Sequence, residues 1–285
     1  MRGFVPSYEL ISPATLDDAL DSLAGAGKWK PFAGGTDLMV LVEAGKLPHK
    51  NYVNIWNLKE LRGIDVSNEQ ITLGALTTYT EVQANRVLRE EFPMLCQAAK
   101  ETGGIAIQNR GTLGGNIVNA SPAADSPPAL LAYDAEIELI SKEGERKIPY
   151  SRFHLGYKQM DIRQNELLRA IRLQRSAKPI THYYRKVGTR KAQAISKVCF
   201  AAIGRLSEKK IAEIRIALGS VAPIPIRCVR TESALLGEPI TSRTLAAARA
   251  ALAAEISPID DLRSTKDYRL SVSLNLLEDF LTRLS

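Results

Sequence analysis

Gly111-Thr-Leu-Gly-Gly-Asn-Ile-Val-Asn-Ala-Ser-Pro-Ala-Ala-Asp125 constrains this chain more than any other stretch. It follows Arg110, is rich in glycine and small polar residues, and runs into the apolar Ser126-Pro-Pro-Ala-Leu-Leu131. Glycine has no Cβ to hold a ligand away, so such a run can offer bare backbone N–H groups to an anion. A second run, Ala33-Gly-Gly-Thr-Asp37, lies upstream. Either glycine pair alone also reads as a plain turn or tight bend. The combination is more telling, because both sit between an apolar run and a helix start and both carry an acid, Asp37 and Asp125. Two such nests suit the two phosphates of one dinucleotide, with an acid at each end for sugar hydroxyls.

Signals around these runs describe a chain of mixed α and β structure. Thr15-Leu-Asp-Asp18 starts a helix with an N-cap hydroxyl and early acids. Ala19, Leu20 and Leu23 give it an apolar face, and Gly25 stops it. Residues 29–33 read as a short strand and Gly34-Gly35 as its turn, with Thr36 capping a helix that ends near Gly45. Strands are predicted at 52–56, 70–76, 135–140 and 167–173, and helices at 78–89 and from Pro93 to Gly103-Gly104. Ser126 caps a helix through Tyr133. Beyond a boundary near Ser176-Ala-Lys-Pro179 come strands at 196–206 and 211–221 and an alanine-rich helix at 245–256. Ser264-Thr-Lys-Asp267 is a capping box for a last helix with Leu270, Leu274, Leu277, Leu281 and Leu284 in one stripe.

Composition excludes several classes. A chain of 285 residues suits about two domains. The net charge of +7 is concentrated in residues 163–215, where fourteen Lys and Arg face three acids. That stretch reads as a solvated basic face or one that meets an anionic cofactor or acidic partner. The rival is a nucleic-acid surface, but aromatic interleaving stops at Tyr183 and Tyr184 and no nucleic-acid motif is present, so no nucleic-acid partner is expected. Cys96, Cys199 and Cys228 form neither a disulfide framework nor a cluster ligand set, which suits a cytoplasmic location. No apolar run approaches the about 18 residues of a membrane span, and the first seven residues show no signal peptide. His49, His154 and His182 lack metal-ligand spacing, so no metal site is expected here.

Four segments together resemble one family. Lys30-Pro-Phe-Ala-Gly-Gly-Thr-Asp-Leu-Met39 and the run from Arg110 to Asp125 are similar to the two FAD-binding signatures of the molybdenum hydroxylases. These are enzymes of the xanthine dehydrogenase and aerobic carbon monoxide dehydrogenase type. Tyr184-Arg-Lys-Val-Gly-Thr-Arg-Lys-Ala-Gln-Ala-Ile-Ser196 and Ser257-Pro-Ile-Asp-Asp-Leu-Arg-Ser-Thr-Lys-Asp-Tyr-Arg269 resemble two further family segments. The match keeps its order over nearly the whole chain. It implies an α+β architecture: a two-subdomain FAD-binding fold of the vanillyl-alcohol oxidase type over 1–176, breaking near 55–60, then a small α+β domain with an antiparallel sheet over 177–285.

The resemblance also implies site residues. Lys30, Pro31, Phe32, Ala33, Gly34, Gly35, Thr36, Asp37 and Leu38 would wrap the pyrophosphate and flavin edge, with Gly34, Gly35 and Thr36 donating N–H groups. Gly111, Thr112, Gly114, Gly115, Asn116 and Asn119 would hold the second side, with Thr102 nearby. Asp125 would bond a sugar hydroxyl, Leu168 would meet the flavin ring, and Lys186 would lie near the flavin, where a cation favours the reduced anion. No catalytic acid or base is implied on this chain. No histidine lies between residues 29 and 42, so the FAD is expected to be non-covalent. The implied partners are a molybdopterin-bearing large subunit and a small subunit with two [2Fe–2S] clusters, assembled as a dimer of heterotrimers.

The implied function is electron transfer from those clusters through FAD to NAD or another acceptor, in an oxidoreductase hydroxylating a purine such as xanthine or another N-heteroaromatic compound. A carbon monoxide dehydrogenase medium subunit is an alternative within the family. A stand-alone FAD-dependent oxidase or dehydrogenase and a nucleotide- or nucleic-acid-binding protein are alternatives outside it.

Overall fold

The computed structural model describes residues 7–176, 178–190 and 193–285. The signal-peptide reading of the first residues, Ala177 at the expected boundary, and Lys191 and Ala192 of the third family-like segment lie outside them.

The first unit holds β1 (Glu9–Ile11), α1 (Leu16–Ala24), β2 (Lys30–Phe32), α2 (Leu38–Glu43) and β3 (Asn51–Asn54). Its strands form a parallel sheet in the order β1-β3-β2. Thr15 Oγ1 accepts from Asp18 N at 3.1 Å, which starts α1. Leu16, Ala19, Leu20 and Leu23 are then buried with Val53, Ile55, Leu58 and Leu61.

The second unit runs β4 (Ile64–Val66), β5 (Gln70–Gly74), α3 (Tyr79–Ala84), α4 (Arg86–Glu91), α5 (Pro93–Glu101), α6 (Ile105–Gln108), α7 (Leu113–Val118), α8 (Ser126–Ala132), β6 (Glu136–Ser141), β7 (Gly144–Pro149), β8 (His154–Gly156), β9 (Gln159–Met160) and β10 (Leu167–Gln174). Its main sheet is antiparallel, in the order β4-β5-β10-β6-β7. The third comprises β11 (Thr181–Val187), β12 (Val198–Ser207), β13 (Lys210–Gly219), β14 (Ile226–Arg227), α9 (Val229–Leu235), α10 (Ser242–Glu255) and α11 (Lys266–Leu284). These four strands are antiparallel in sequence order. The whole is α+β. Among the described residues no helix is long and apolar enough to cross a membrane.

Every residue of α8 is buried. The helix lies against β12 and β13, and Ala201, Ile203 and Ala217 of those strands join the core that holds Ala129, Leu130 and Leu131. The second and third units therefore share one apolar interior.

Several local expectations need correction. Residues 78–89 form two helices, because the Asn85 side chain accepts from Leu88 N at 3.0 Å and starts the second. The cap position of α2 is Asp37, not Thr36, and that of α8 is Asp125, not Ser126; neither makes a side-chain capping bond, since both carboxylates bind elsewhere. Thr265, not Ser264, caps α11 by accepting from Tyr268 N at 3.2 Å. The buried face of α11 also turns, to Arg269, Ser273, Leu277, Phe280, Leu281 and Leu284, leaving Leu270 and Leu274 at its margin. Gly204 allows this approach, because a Cβ there would lie 2.7 Å from Leu284 Cδ2. Part of the basic stretch pairs within the chain: Arg169 and Arg172 with Glu138, Arg175 with Glu91, Lys186 with Asp125, and Arg215 with Glu213 and Asp134.

Candidate cofactor site

β2 delivers the first glycine run to a point where it touches the second. A Cβ on Gly34 would overlap the Arg110 carbonyl oxygen and lie 2.7 Å from its carbon. Gly35 has φ of +76°, a conformation that favours glycine, and a Cβ there would meet the Phe32 ring at 2.8 Å. Phe32 is in turn fixed edge-on to Tyr52, with ring centroids 6.3 Å apart. Lys30 and Pro31 pair with Tyr52 and Val53 of β3, and Ala33 joins the first unit's core. Among the described residues, no protein group accepts from the N–H of Gly34, Gly35, Thr36, Asp37 or Leu38.

The second run is built differently from an open nest. Thr112 Oγ1 accepts from Gly115 N at 3.0 Å and starts α7. Gly114 N donates to Ala75 O at 2.9 Å, just past the end of β5, and a Cβ on Gly114 would lie 2.7 Å from that oxygen. Gly111 packs its missing Cβ against the Tyr79 ring. The N–H groups of Gly114 and Gly115 are thus taken up inside the protein, and the second run presents side chains instead. Asn116 Oδ1 is buried without a hydrogen-bond partner. Asn119 Nδ2 donates to Asp37 Oδ1 at 3.1 Å, while its own Oδ1 accepts from Lys158 Nζ at 2.7 Å. Arg110 rests 3.8 Å from the centroid of the Trp56 ring, whose partner Arg62 lies at 4.4 Å.

Asp125 stands at the seam with the third unit. Its Oδ2 accepts from Lys186 Nζ at 2.7 Å, and Lys186 Nζ also donates to Glu101 O at 2.8 Å. The other oxygen, Oδ1, is buried with no partner. Burial pushes the Asp125 carboxyl up to about 6, against the pull of the Lys186 charge. Tyr184 donates its hydroxyl to the Asp125 main-chain oxygen at 3.1 Å. Thr102 ends α5 with its hydroxyl donated to Ala98 O at 2.7 Å. Leu168 is buried on β10 beside a bulge. Lys158, Tyr184 and Trp56 were absent from the sequence-derived set; only the Tyr184 segment carried a signal, through its family resemblance.

The two sides have complementary deficits. The first offers five consecutive unbonded N–H donors, which suit anionic oxygens. The second offers two buried acceptors, Asn116 Oδ1 and Asp125 Oδ1, which need donors such as hydroxyls. A molecule with phosphates and sugar hydroxyls meets both needs, so the residues fit a dinucleotide. A cavity of about 490 Å³ between α8 and the loop before α9 shares no lining residue with either run. Among the described residues, no three His, Cys, Asp or Glu side chains converge on a metal-sized site.

Comparison with known proteins gives the same answer. Residues 6–174 match the FAD binding domain in molybdopterin dehydrogenase, and residues 182–284 match the CO dehydrogenase flavoprotein C-terminal domain. The chain is 34% identical over 259 residues to the xanthine dehydrogenase FAD-binding subunit of Escherichia coli O157:H7, covering 90% of this chain and 89% of that one. It is 29% identical to the carbon monoxide dehydrogenase medium chain of Hydrogenophaga pseudoflava, covering 94% and 93%. A solved carbon monoxide dehydrogenase from Hydrogenophaga pseudoflava superposes with a TM-score of 0.92 at 28% identity, over 97% of this chain and 96% of that one. The chain belongs to the FAD-binding medium subunits of the molybdenum hydroxylases, and is an oxidoreductase flavoprotein.

Proposed function

We propose that this chain is the electron-transfer subunit of a molybdenum hydroxylase complex and holds its FAD non-covalently between the two glycine runs. The observation that carries this is the pairing of unbonded N–H groups at Gly34, Gly35, Thr36, Asp37 and Leu38 with the partnerless acceptors of Asn116 and Asp125. The N–H groups bind the pyrophosphate oxygens. Asn116 and Asp125 accept from sugar hydroxyls, and Asn119 ties Asp37 in place. Thr112, Gly114 and Gly115 shape the surface on the second side, and Leu168 and Thr102 border the flavin ring. When bound, FAD supplies the capacity to take electrons from [2Fe–2S] clusters on a small partner subunit and release them to NAD or another acceptor.

The division into a vanillyl-alcohol-oxidase-type domain over 1–176 and a C-terminal domain over 177–285 is supported by the placement of β11, β12, β13 and β14 in a sheet of their own, apart from those of the first two units. A molybdopterin-bearing large subunit completes the complex, assembled as a cytoplasmic dimer of heterotrimers. Similarity to xanthine, caffeine and nicotinate dehydrogenase subunits favours a purine or other N-heteroaromatic substrate. Titration of the purified chain with FAD tests the cofactor: saturable binding with a stoichiometric flavin spectrum is expected, and no flavin uptake refutes it. Purification of the tagged chain from its native source tests the assembly: molybdenum and iron should accompany it in fixed ratio, and a metal-free preparation refutes the complex.

A further inference from the structure

Lys186 belongs to β11, yet both hydrogen-bond partners of its ammonium lie in the FAD-binding part: Asp125 Oδ2 at 2.7 Å and Glu101 O at 2.8 Å. Its side chain is 7% exposed and that of Asp125 11%, so the pair is screened little by water. A carboxylate held in this way has one oxygen committed to the lysine and the other, Oδ1, buried and unbonded. The two oxygens therefore have separate tasks. Lys186 fixes the rotamer and the charge, and Oδ1 is left for an incoming donor.

We propose that Lys186 is a positioning residue that acts through Asp125: it keeps that carboxyl ionised, with Oδ1 available to a cofactor hydroxyl, so that the C-terminal domain governs how tightly FAD is held. This rests on the FAD reading above and deepens it. The role is distinct from direct stabilisation of the flavin, because the geometry places the ammonium on Asp125. Asp125 is also faced by Tyr184 from β11, Cys199 from β12, Tyr79 from α3, and Glu101 and Thr102 from the end of α5. Among these, Lys186 is the cation. Glu101, Tyr79 and Cys199 add no positive charge, and Glu101 pushes the Asp125 carboxyl upward. Removing the lysine thus leaves the Thr102 side chain as the remaining influence that lowers the Asp125 carboxyl, against burial and the like charge of Glu101, which drive it neutral.

The test is the pH profile of FAD affinity for the full chain, followed by flavin fluorescence from about pH 5 to about pH 9. Wild-type affinity should weaken on the acid side of about 6, by up to about tenfold per pH unit. Lys186→Met should move that limb upward by at least about one pH unit, so that Kd rises even at neutral pH. Asp125→Asn should abolish the limb and give weak, pH-independent binding. The double variant removes both buried charges, so it is the safer one to fold, and it should match Asp125→Asn. An unmoved limb in Lys186→Met, or a limb that persists in the double variant, overturns the proposal. If Lys186→Met does not fold, the double variant alone decides. A wild-type chain that takes up no FAD at any pH refutes the cofactor reading itself, which is a different outcome.

Discussion

Gly34 lies so close to Arg110 that a side chain on residue 34 would occupy the space of the Arg110 carbonyl oxygen. The first and second units therefore meet backbone to backbone where the two glycine runs touch. The obstacle is main chain, which cannot rotate aside as a side-chain tip can. Gly34→Ala should force the two runs apart, cost about 3 kcal/mol and abolish FAD retention. A thermal melt with and without added FAD checks both effects.

Gly115 presents the opposite situation. A Cβ there would meet Thr112 Oγ1 at 2.8 Å and no other group within contact distance. Gly115→Val should displace the Thr112 cap at a loss of about 1 kcal/mol, leave the protein folded, and fill the space beside Asn116. The expected outcome is a folded, colourless protein, measured as the ratio of flavin to protein absorbance together with circular dichroism.

The turn before α11 predicts an acid-sensitive anchor. Asp261 Oδ1 accepts from Arg269 at 2.7 Å, Arg263 N at 2.8 Å and Ser264 N at 3.1 Å. Burial would raise its carboxyl, but these donors outweigh it and hold it at about 2, below the ordinary 3.8. A depressed folded-state pKa stabilises the protein above about pH 4, and that contribution is lost as pH falls towards 2. Arg269 is buried, with its other bonds to Lys197 O and Ser220 O. Asp261→Ala should therefore cost about 2 kcal/mol at neutral pH, and less as pH falls towards 2. Melting temperatures of both proteins over that range provide the check.

Covalent attachment has no candidate histidine in the first glycine run. Acid precipitation of the FAD-loaded chain should leave the flavin fluorescence in the supernatant. Flavin that remains with the precipitated polypeptide would contradict this.

What could be read from the sequence was local. Thr15 announces a helix start, because a cap needs only its own hydroxyl and the next turn. The glycine pairs are visible because no other residue allows such close approach. Asp37 and Asp125 were visible as acids but not as cap positions, because their partners, Asn119 and Lys186, are distant in sequence. β11 escaped notice because Thr-His-Tyr-Tyr-Arg-Lys-Val has no clean alternation; it is held by the β12 ladder on one side. Arg269 was unreadable as a core residue, since its burial depends on two carbonyls and a carboxylate supplied by other segments. The amides of Gly114 and Gly115 looked free, because nothing local reveals that Ala75 and Thr112 accept from them.

The wholly buried α8 has a consequence for biogenesis. The helix is synthesised well before β12 and β13, the strands that cover it. Until they arrive, the side of α8 that those strands cover stays open to water, and a nascent chain halted between the two units carries an adhesive apolar strip. The second unit cannot bury this side of α8 alone, so its interior is completed only once the C-terminal sheet has been translated.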